Sequence, residues 1–337
     1  MSPEQRSLRA STPARVISTR AAAYGRDTSN MNEIEVPLLM PADSRSWREA
    51  FAAYVAKKTA AAMSAPTAPF VTVATHPDEN LHPIATPWSA SRFGGPFYVR
   101  EPAGALLPTC SLVFVQSADR NTVAEDPASL GGGATDYHVV YEGLSRVVAD
   151  AVLAGSRTVS VGETIRSVWH PELVDLRQTM GLGRHPTQII ATLRGVDLDR
   201  GILFNVPDVP VVLLTDAAGA TIMEKSLVGR PWIRVVLLGD RTDLTKAFAT
   251  LRADGIRRVS CVGGRSLAAD LLALKLVDDL YLTTTARKGG APDTSLPAEA
   301  FTGQLVLEKR GTREDHGVVF QHFDLHHKRE HWTVQTG

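Results

Sequence analysis

Residues 257–285 constrain the fold more tightly than any other stretch. An apolar run, Val259 to Val262, meets a glycine pair, Gly263-Gly264; Ser266 opens a helical segment, and a second strand-like run follows at 279–285. Strand, glycine turn, helix, strand is the layout that brings bare backbone up to a phosphate. The glycines remove the Cβ atoms that would block close approach. The helix start supplies unpaired N–H groups and a partial positive charge. The unit therefore points to a nucleotide cofactor and to an enzyme.

The same alternation extends through the chain. Apolar runs at 110–119, 150–155, 187–193, 209–215 and 233–239 read as strands. Between them, 135–147 has apolar residues at helical spacing, with Thr135 or Asp136 as N-cap, and 244–253 is a helix stopped at Gly255. Alternating strands and helices indicate an α/β fold with a mostly parallel sheet. The polar-apolar alternation at 304–311 and 318–325 adds an antiparallel C-terminal edge. Ahead of this body, 46–63 is a helix with Trp47, Phe51, Tyr54 and Val55 on one face. Residues 70–75, 82–89 and 95–100 are short strands, forming either a small subdomain or a hairpin on the main sheet. Residues 1–45 read as a disordered tail and linker, with Met31 as a second possible start, and 329–337 as a C-terminal tail. The Arg, Ser and Ala richness of residues 1–26 also matches a transit peptide in composition, but without an amphipathic period.

Composition excludes several classes. Lysine plus arginine equals aspartate plus glutamate at 36 each, so the basic excess of a nucleic-acid binder is absent. No apolar run approaches the ~20 residues of a membrane span. Cys110 and Cys261 are too few for a disulfide framework and lack zinc-ligand spacing, so they read as buried thiols of a cytoplasmic protein. The histidines His322, His326, His327 and His331 fall in a charged C-terminal stretch that reads as solvated tail, and no metal site is expected. There is no G-x-G-x-x-G fingerprint, no P-loop and no G-x-S-x-G elbow.

Four strand ends carry small or polar residues: Asp119, Gly155 with Thr158, Thr215, and Gly263-Gly264. Ligands of open α/β sheets sit beyond the carboxyl ends of the strands, so these four ends define one candidate crevice.

The stretches 111–124, 144–159 and 260–286, in that order, resemble the riboflavin-biosynthesis reductase domain, which has the dihydrofolate-reductase-like three-layer fold. The resemblance runs from about residue 106 to 325 and sets a reductase domain at 106–328, after an N-terminal part at 46–105. It implies NADPH as cofactor and a ribosylamino-pyrimidine phosphate as substrate, reduced by hydride delivery to an imine carbon. Carried over by position, Thr158 contacts the cofactor; Gly155 and Thr215 are assigned to it as ends of the strands that line the crevice. Gly263, Gly264, Arg265, Ser266 and Leu267 hold its pyrophosphate. Asp119 stands at the mouth of the site as the catalytic carboxylate, and Arg146 holds the substrate phosphate, a task suited to a guanidinium fork. Three positions depart from the family pattern: Val262 replaces a substrate-contacting Glu, Arg120 a Gly, and Gly162 an acidic residue, with Glu163 adjacent.

Three readings follow: a pyrimidine reductase, a reductase of another small carbonyl, imine or pterin-like substrate, and a non-catalytic dinucleotide-binding scaffold. The expected partners are a small molecule and a second copy of the chain, since two-fold dimers are the commonest assembly.

Overall fold

The computed structural model describes residues 16–17, 44–77, 79–102, 106–123, 130, 133–156, 159, 165–239, 243–311 and 317–325. In chain order the strands are β1 (Val16–Ile17), β2 (Phe70–Thr75), β3 (Leu81–Ile84), β4 (Phe97–Arg100), β5 (Thr109–Gln116), β6 (Ala151–Gly155) and β7 (Thr187–Ala191). They continue with β8 (Val211–Thr215), β9 (Ile233–Leu237), β10 (Arg258–Cys261), β11 (Asp279–Thr285), β12 (Gln304–Gly311) and β13 (Val318–Asp324). The principal helices are α1 (Ser44–Ser64), α2 (Pro87–Phe93), α3 (Asp136–Arg146), α4 (Pro171–Thr179), α5 (Ala217–Leu227), α6 (Leu244–Ala253) and α7 (Arg265–Ala273).

An 11-stranded sheet runs in the order β1-β9-β8-β7-β6-β10-β5-β11-β13-β12-β2. From β9 to β11 every neighbouring pair is parallel. These strands are apolar on both faces because helices cover both faces. Val113, Val152, Ala154, Ile190 and Leu213 face a layer containing α3, α4 and α5, with α1 packed against it. Their alternate neighbours, Leu112, Leu153, Ile189 and Leu214, face Phe248 and Leu251 of α6 and Leu271 of α7. Helix, sheet, helix is the expected three-layer α/β architecture. The antiparallel edge is wider than the C-terminal pair alone. β11 pairs with β13, β13 with β12, and β2 from the N-terminal part closes that side. β3 and β4 form a separate two-stranded sheet, and β1, inside the segment read as tail, pairs antiparallel with β9.

The structure revises four local expectations. The stretch 82–89 is not one strand: after β3 it turns into α2, with Thr86 as N-cap in a capping box with Ser89 and Pro87 at the first helical turn. Helix α3 is wound as a π-helix, and Val147 N–H donates to Glu142 O at 3.1 Å. Thr135 holds its N-cap position but makes no side-chain cap hydrogen bond, and Asp136 is not the cap. Thr135 is already helical, its hydroxyl accepting from Ala68 N–H at 3.0 Å, and Asp136 is a buried residue of the first turn. His322 is not in a solvated tail. It sits in β13 at 1% exposure, with Nε2 2.8 Å from Asp279 Oδ1. Arg100 of β4 joins the same buried cluster, 3.3 Å from Asp279 and 2.7 Å from Asp324, and so ties the N-terminal hairpin to the main sheet. His326, His327 and His331 lie outside the described residues.

Gly143 shows how closely the N-terminal part is joined to the body. A Cβ at Gly143 would fall inside the Trp88 ring of α2, so glycine alone lets α2 seat on α3. The sheet's switch point lies beside α3. The chain leaves β5, passes through α3 to β6, and returns later to insert β10 between them. The carboxyl ends of β5, β10 and β6 therefore open side by side, where α/β sheets bind ligands.

Candidate functional site

At that opening the two glycine turns meet. Gly155 N–H donates to Gly263 O at 3.2 Å, and Gly264 follows directly. A Cβ on Gly264 would stand 3.6 Å from the Gly155 backbone, whereas the Cβ direction of Gly263 has no atom within 4 Å. Gly263 has φ 130° and Gly264 φ 95°, values that L side chains rarely adopt. Gly264 is the N-cap of α7 and gives it no side-chain hydrogen bond, so the first N–H groups of this helix face the opening. Arg265 and Ser266 are exposed there, and Leu267 is half-buried. A bare backbone, an uncapped helix start and an adjacent cation fit a dinucleotide's phosphates. Thr158 and Gly162 lie outside the described residues.

Asp119 lies in a tight turn after β5, with Ala118 N–H donating to Arg287 O at 2.7 Å and Arg120 N–H to Ser117 O at 2.9 Å. Its Oδ2 accepts from Gly289 N–H at 3.0 Å, which fastens the turn to the segment after β11 and leaves the residue exposed. Arg120 has φ 65°, a left-handed conformation in which glycine is unstrained. Arg120 thus adopts a backbone shape that a glycine, the resembled family's residue at this position, would take without strain.

Thr215 is not brought to the glycine turns. Three strands from β10, with β7 and β6 between, it is fully buried, and the space beside its hydroxyl is what a Cβ on Gly219 of α5 would fill. The start of α5 closes over this strand end, so the hydroxyl faces protein rather than the crevice.

Arg146, the last residue of α3, is in a different setting, at 4% exposure. Its Nη1 reaches Ser167 O only at 3.5 Å, and its Nε has no partner. Its guanidinium carbon lies 5.4 Å from the Tyr137 ring centre and 5.6 Å from that of Tyr141. The π-winding explains the second contact, because residues five apart share a face when each turn carries an extra residue. Cation-aromatic attraction partly replaces the lost water. Arg166, at 6% exposure, is close enough that the two guanidiniums repel: burial first, then Arg146, pushes its pKa down to about 10. Asp136, with Oδ1 unpartnered, lies in the same region. Burial pushes its carboxyl up to about 7, while Thr283 and Arg146 pull it back. Val262 is buried in the core on this side of the sheet, presenting an apolar wall where the resembled family has a carboxylate.

Sequence reasoning missed Arg166, Asp136, Tyr137 and Tyr141 as site residues. Asp136 was visible only as a possible cap, and nothing in local spacing brings Arg166 to Arg146. Among the described residues no group of His, Cys, Asp and Glu is arranged to hold a metal ion, and no helix is long and apolar enough to cross a membrane.

The model of the RibD C-terminal domain family matches residues 109–318. No curated protein sequence matches the chain. Among solved structures, a pyrimidine reductase-like protein of Corynebacterium diphtheriae is 21% identical with a TM-score of 0.51; the match covers 64% of this chain and 91% of that one. The riboflavin biosynthesis reductase of Saccharomyces cerevisiae is 19% identical with a TM-score of 0.45, covering 65% and 90%. RibD of Acinetobacter baumannii is 17% identical with a TM-score of 0.47, covering 65% of this chain and 58% of that longer one.

Proposed function

The chain belongs to the RibD C-terminal domain family, and from that premise we propose that it is an NADPH-dependent reductase of a small, anionic, nitrogen-containing substrate. The observation that carries the reading is the contact between Gly155 and Gly264 at the carboxyl ends of adjacent parallel strands, beside the uncapped start of α7. Gly263, Gly264 and the first residues of α7 would hold the dinucleotide phosphates by backbone N–H groups, with Gly155 leaving room beside them, Arg265 as the nearby cation and Ser266 and Leu267 shaping the turn. Thr158 is assigned to the same role by its place in the sequence. Bound NADPH supplies the hydride; the protein supplies orientation and electrostatics.

The substrate lies between these turns and α3, with its anionic group on Arg146. Asp119, held by Gly289, orients it at the mouth. Asp136 is the better proton source, because burial raises its carboxyl pKa to about 7 and so favours the protonated form. Reduction of a C=N bond adds hydride to carbon and a proton to nitrogen, and the unpartnered Oδ1 of Asp136 is the atom from which that proton leaves. The first substrate to test is the ribosylamino-pyrimidine phosphate. Val262 supports a second reading, in which the substrate is another imine, carbonyl or pterin-like molecule that presents an apolar edge to this wall. The chain works as a homodimer on either reading, which sedimentation at working concentration measures.

The test is the oxidation of NADPH followed by absorbance with the pyrimidine phosphate and with a panel of imines, carbonyls and pterins. Turnover of the pyrimidine above the panel supports the first reading, and turnover of a panel member alone supports the second. Dinucleotide binding without any turnover overturns both in favour of a scaffold.

A further inference from the structure

A cavity of about 630 Å³ lies between α5 and β9, far from the candidate crevice, since β8, β7 and β6 stand between β9 and β10. Its walls are mostly apolar: Ala220 and Leu227 on the helix, Val228 just after it, and Val235 and Leu237 on the strand. The cleft is open to solvent, with Val228 77% exposed. Edge strands with apolar flanks are ready to pair, and folded proteins cover them. Two charged residues border the cleft. Glu224 is exposed. Arg230, at 6% exposure, donates from Nη2 to Asp199 Oδ1 and Asn205 Oδ1, both at 2.9 Å, while its Nε finds no acceptor among the described residues.

One segment of the chain already reaches this edge. β1 is the outermost strand of the sheet, and without it β9 would be the edge. Val16 stands opposite Val236 and Ile17 opposite Val235, antiparallel. Opposite residues of an antiparallel pair share a face of the sheet. Val235 lines the cleft, so position 17 falls on the cleft side, and position 16 on the α6 side with Val236. The charges are complementary. Residues 1–26 carry Arg6, Arg9, Arg15, Arg20 and Arg26 against Glu4 alone, and the cleft carries Glu224. Residues 18–43 connect β1 to α1, a length that spans the body at up to about 3.3 Å per residue.

We propose that the cleft between α5 and β9 is the docking site of this chain's own N-terminal segment, a strand that pairs with β9 and fills the cleft with Ile17. Arg15, two residues earlier and so on the same face, meets Glu224. The carbonyls of the added strand supply the acceptor that Arg230 Nε lacks. The segment is thus an intramolecular ligand that closes the sheet edge, and this role is independent of the reductase reading.

The experiment is limited trypsin digestion of the full-length protein, with cleavage after Arg9 and after Arg15 timed by mass spectrometry at several protein concentrations. The ratio of the two rates is compared with that in the free peptide of residues 1–26. Ile17→Asp puts a charge on the segment, and Ala220→Gln fills the cleft from the α5 side; circular dichroism checks that both variants fold. In the wild type, cleavage after Arg15 is expected to be about tenfold or more slower, relative to Arg9, than in the free peptide. Both variants are expected to return the ratio to that of the peptide. A wild-type ratio equal to the peptide's overturns the proposal. Protection that survives Ala220→Gln also overturns it, because the segment then docks without the cleft. Protection that fades on dilution gives the cleft to the segment of a second copy, and overturns the intramolecular assignment.

Discussion

The two halves of the proposed site are built from different materials. The dinucleotide side is backbone: Gly155, Gly263 and Gly264 in contact, with an uncapped helix start beside them. The substrate side is side chains: Arg146, Arg166, Asp136 and two tyrosines, drawn from α3 and the segment after β6, and mostly buried. Backbone sites present the same donors whatever the neighbouring residues are, so the glycine edge tolerates divergence around it. A side-chain pocket changes chemistry with each substitution. Val262 at the position of the resembled family's carboxylate belongs to this second half, which is where substrate choice can shift without loss of the cofactor.

The sharpest way to break the comparison is Arg146→Met. If the pocket is a charged site kept for binding, removing a buried, poorly paired guanidinium raises the melting temperature by roughly a few degrees. It also lowers kcat/KM for an anionic substrate by about 100-fold. Thermal melts and steady-state kinetics on the same preparation read both, and a fall in both would make Arg146 a structural residue instead. Gly264→Val acts on the other half. A branched side chain at φ 95° is strained by roughly 1–3 kcal/mol, and it stands in the space expected for a phosphate. NADPH affinity falls by about tenfold or more, while phosphate binding at the arginine pocket stays as it was.

Asp136→Asn tests the pH dependence. A carboxyl whose folded pKa is raised from 3.8 to about 7 binds its proton more tightly in the folded state. Its contribution to stability is complete below about pH 4 and is lost as pH rises through about 7. The variant, which does not titrate, loses that part of the slope, so its stability relative to wild type improves across this window by on the order of 4 kcal/mol. Denaturant melts at several pH values measure this, and parallel curves would mean that Asp136 ionises normally. The smallest effect is expected for Arg120→Gly, which relieves a left-handed residue and stabilises the protein by about 0.5–1 kcal/mol without changing affinity.

The strands and the glycine edge were legible in the sequence because each is a local pattern: an apolar run, a glycine pair, a helical period. The substrate half was legible only at Arg146, through resemblance. Arg166 comes to Arg146 only through the path of the chain after β6. Thr215 followed the rule that strand ends line the crevice, and failed it because the start of α5 closes over that end, with Gly219 against its hydroxyl. The signal for α2 was present in Thr86, Pro87 and Ser89 but was outweighed by neighbouring apolar residues that read as strand. His322 looked like tail because the chain around it is charged. Only its pairing with Asp279 across β13 and β11 makes it a buried residue.

The central claim is that a dinucleotide lies on the paired glycine turns. Gly155→Ala tests it most cleanly, because the added Cβ meets Gly264 Cα at 3.8 Å, an ordinary contact that leaves the backbone in place. Calorimetric titration of wild type and Gly155→Ala with NADPH is the measurement. Saturable binding by the wild type, weakened about tenfold by the added methyl group, is the predicted result. A folded wild type that binds no NADPH, or a variant that binds it equally well, would contradict the account.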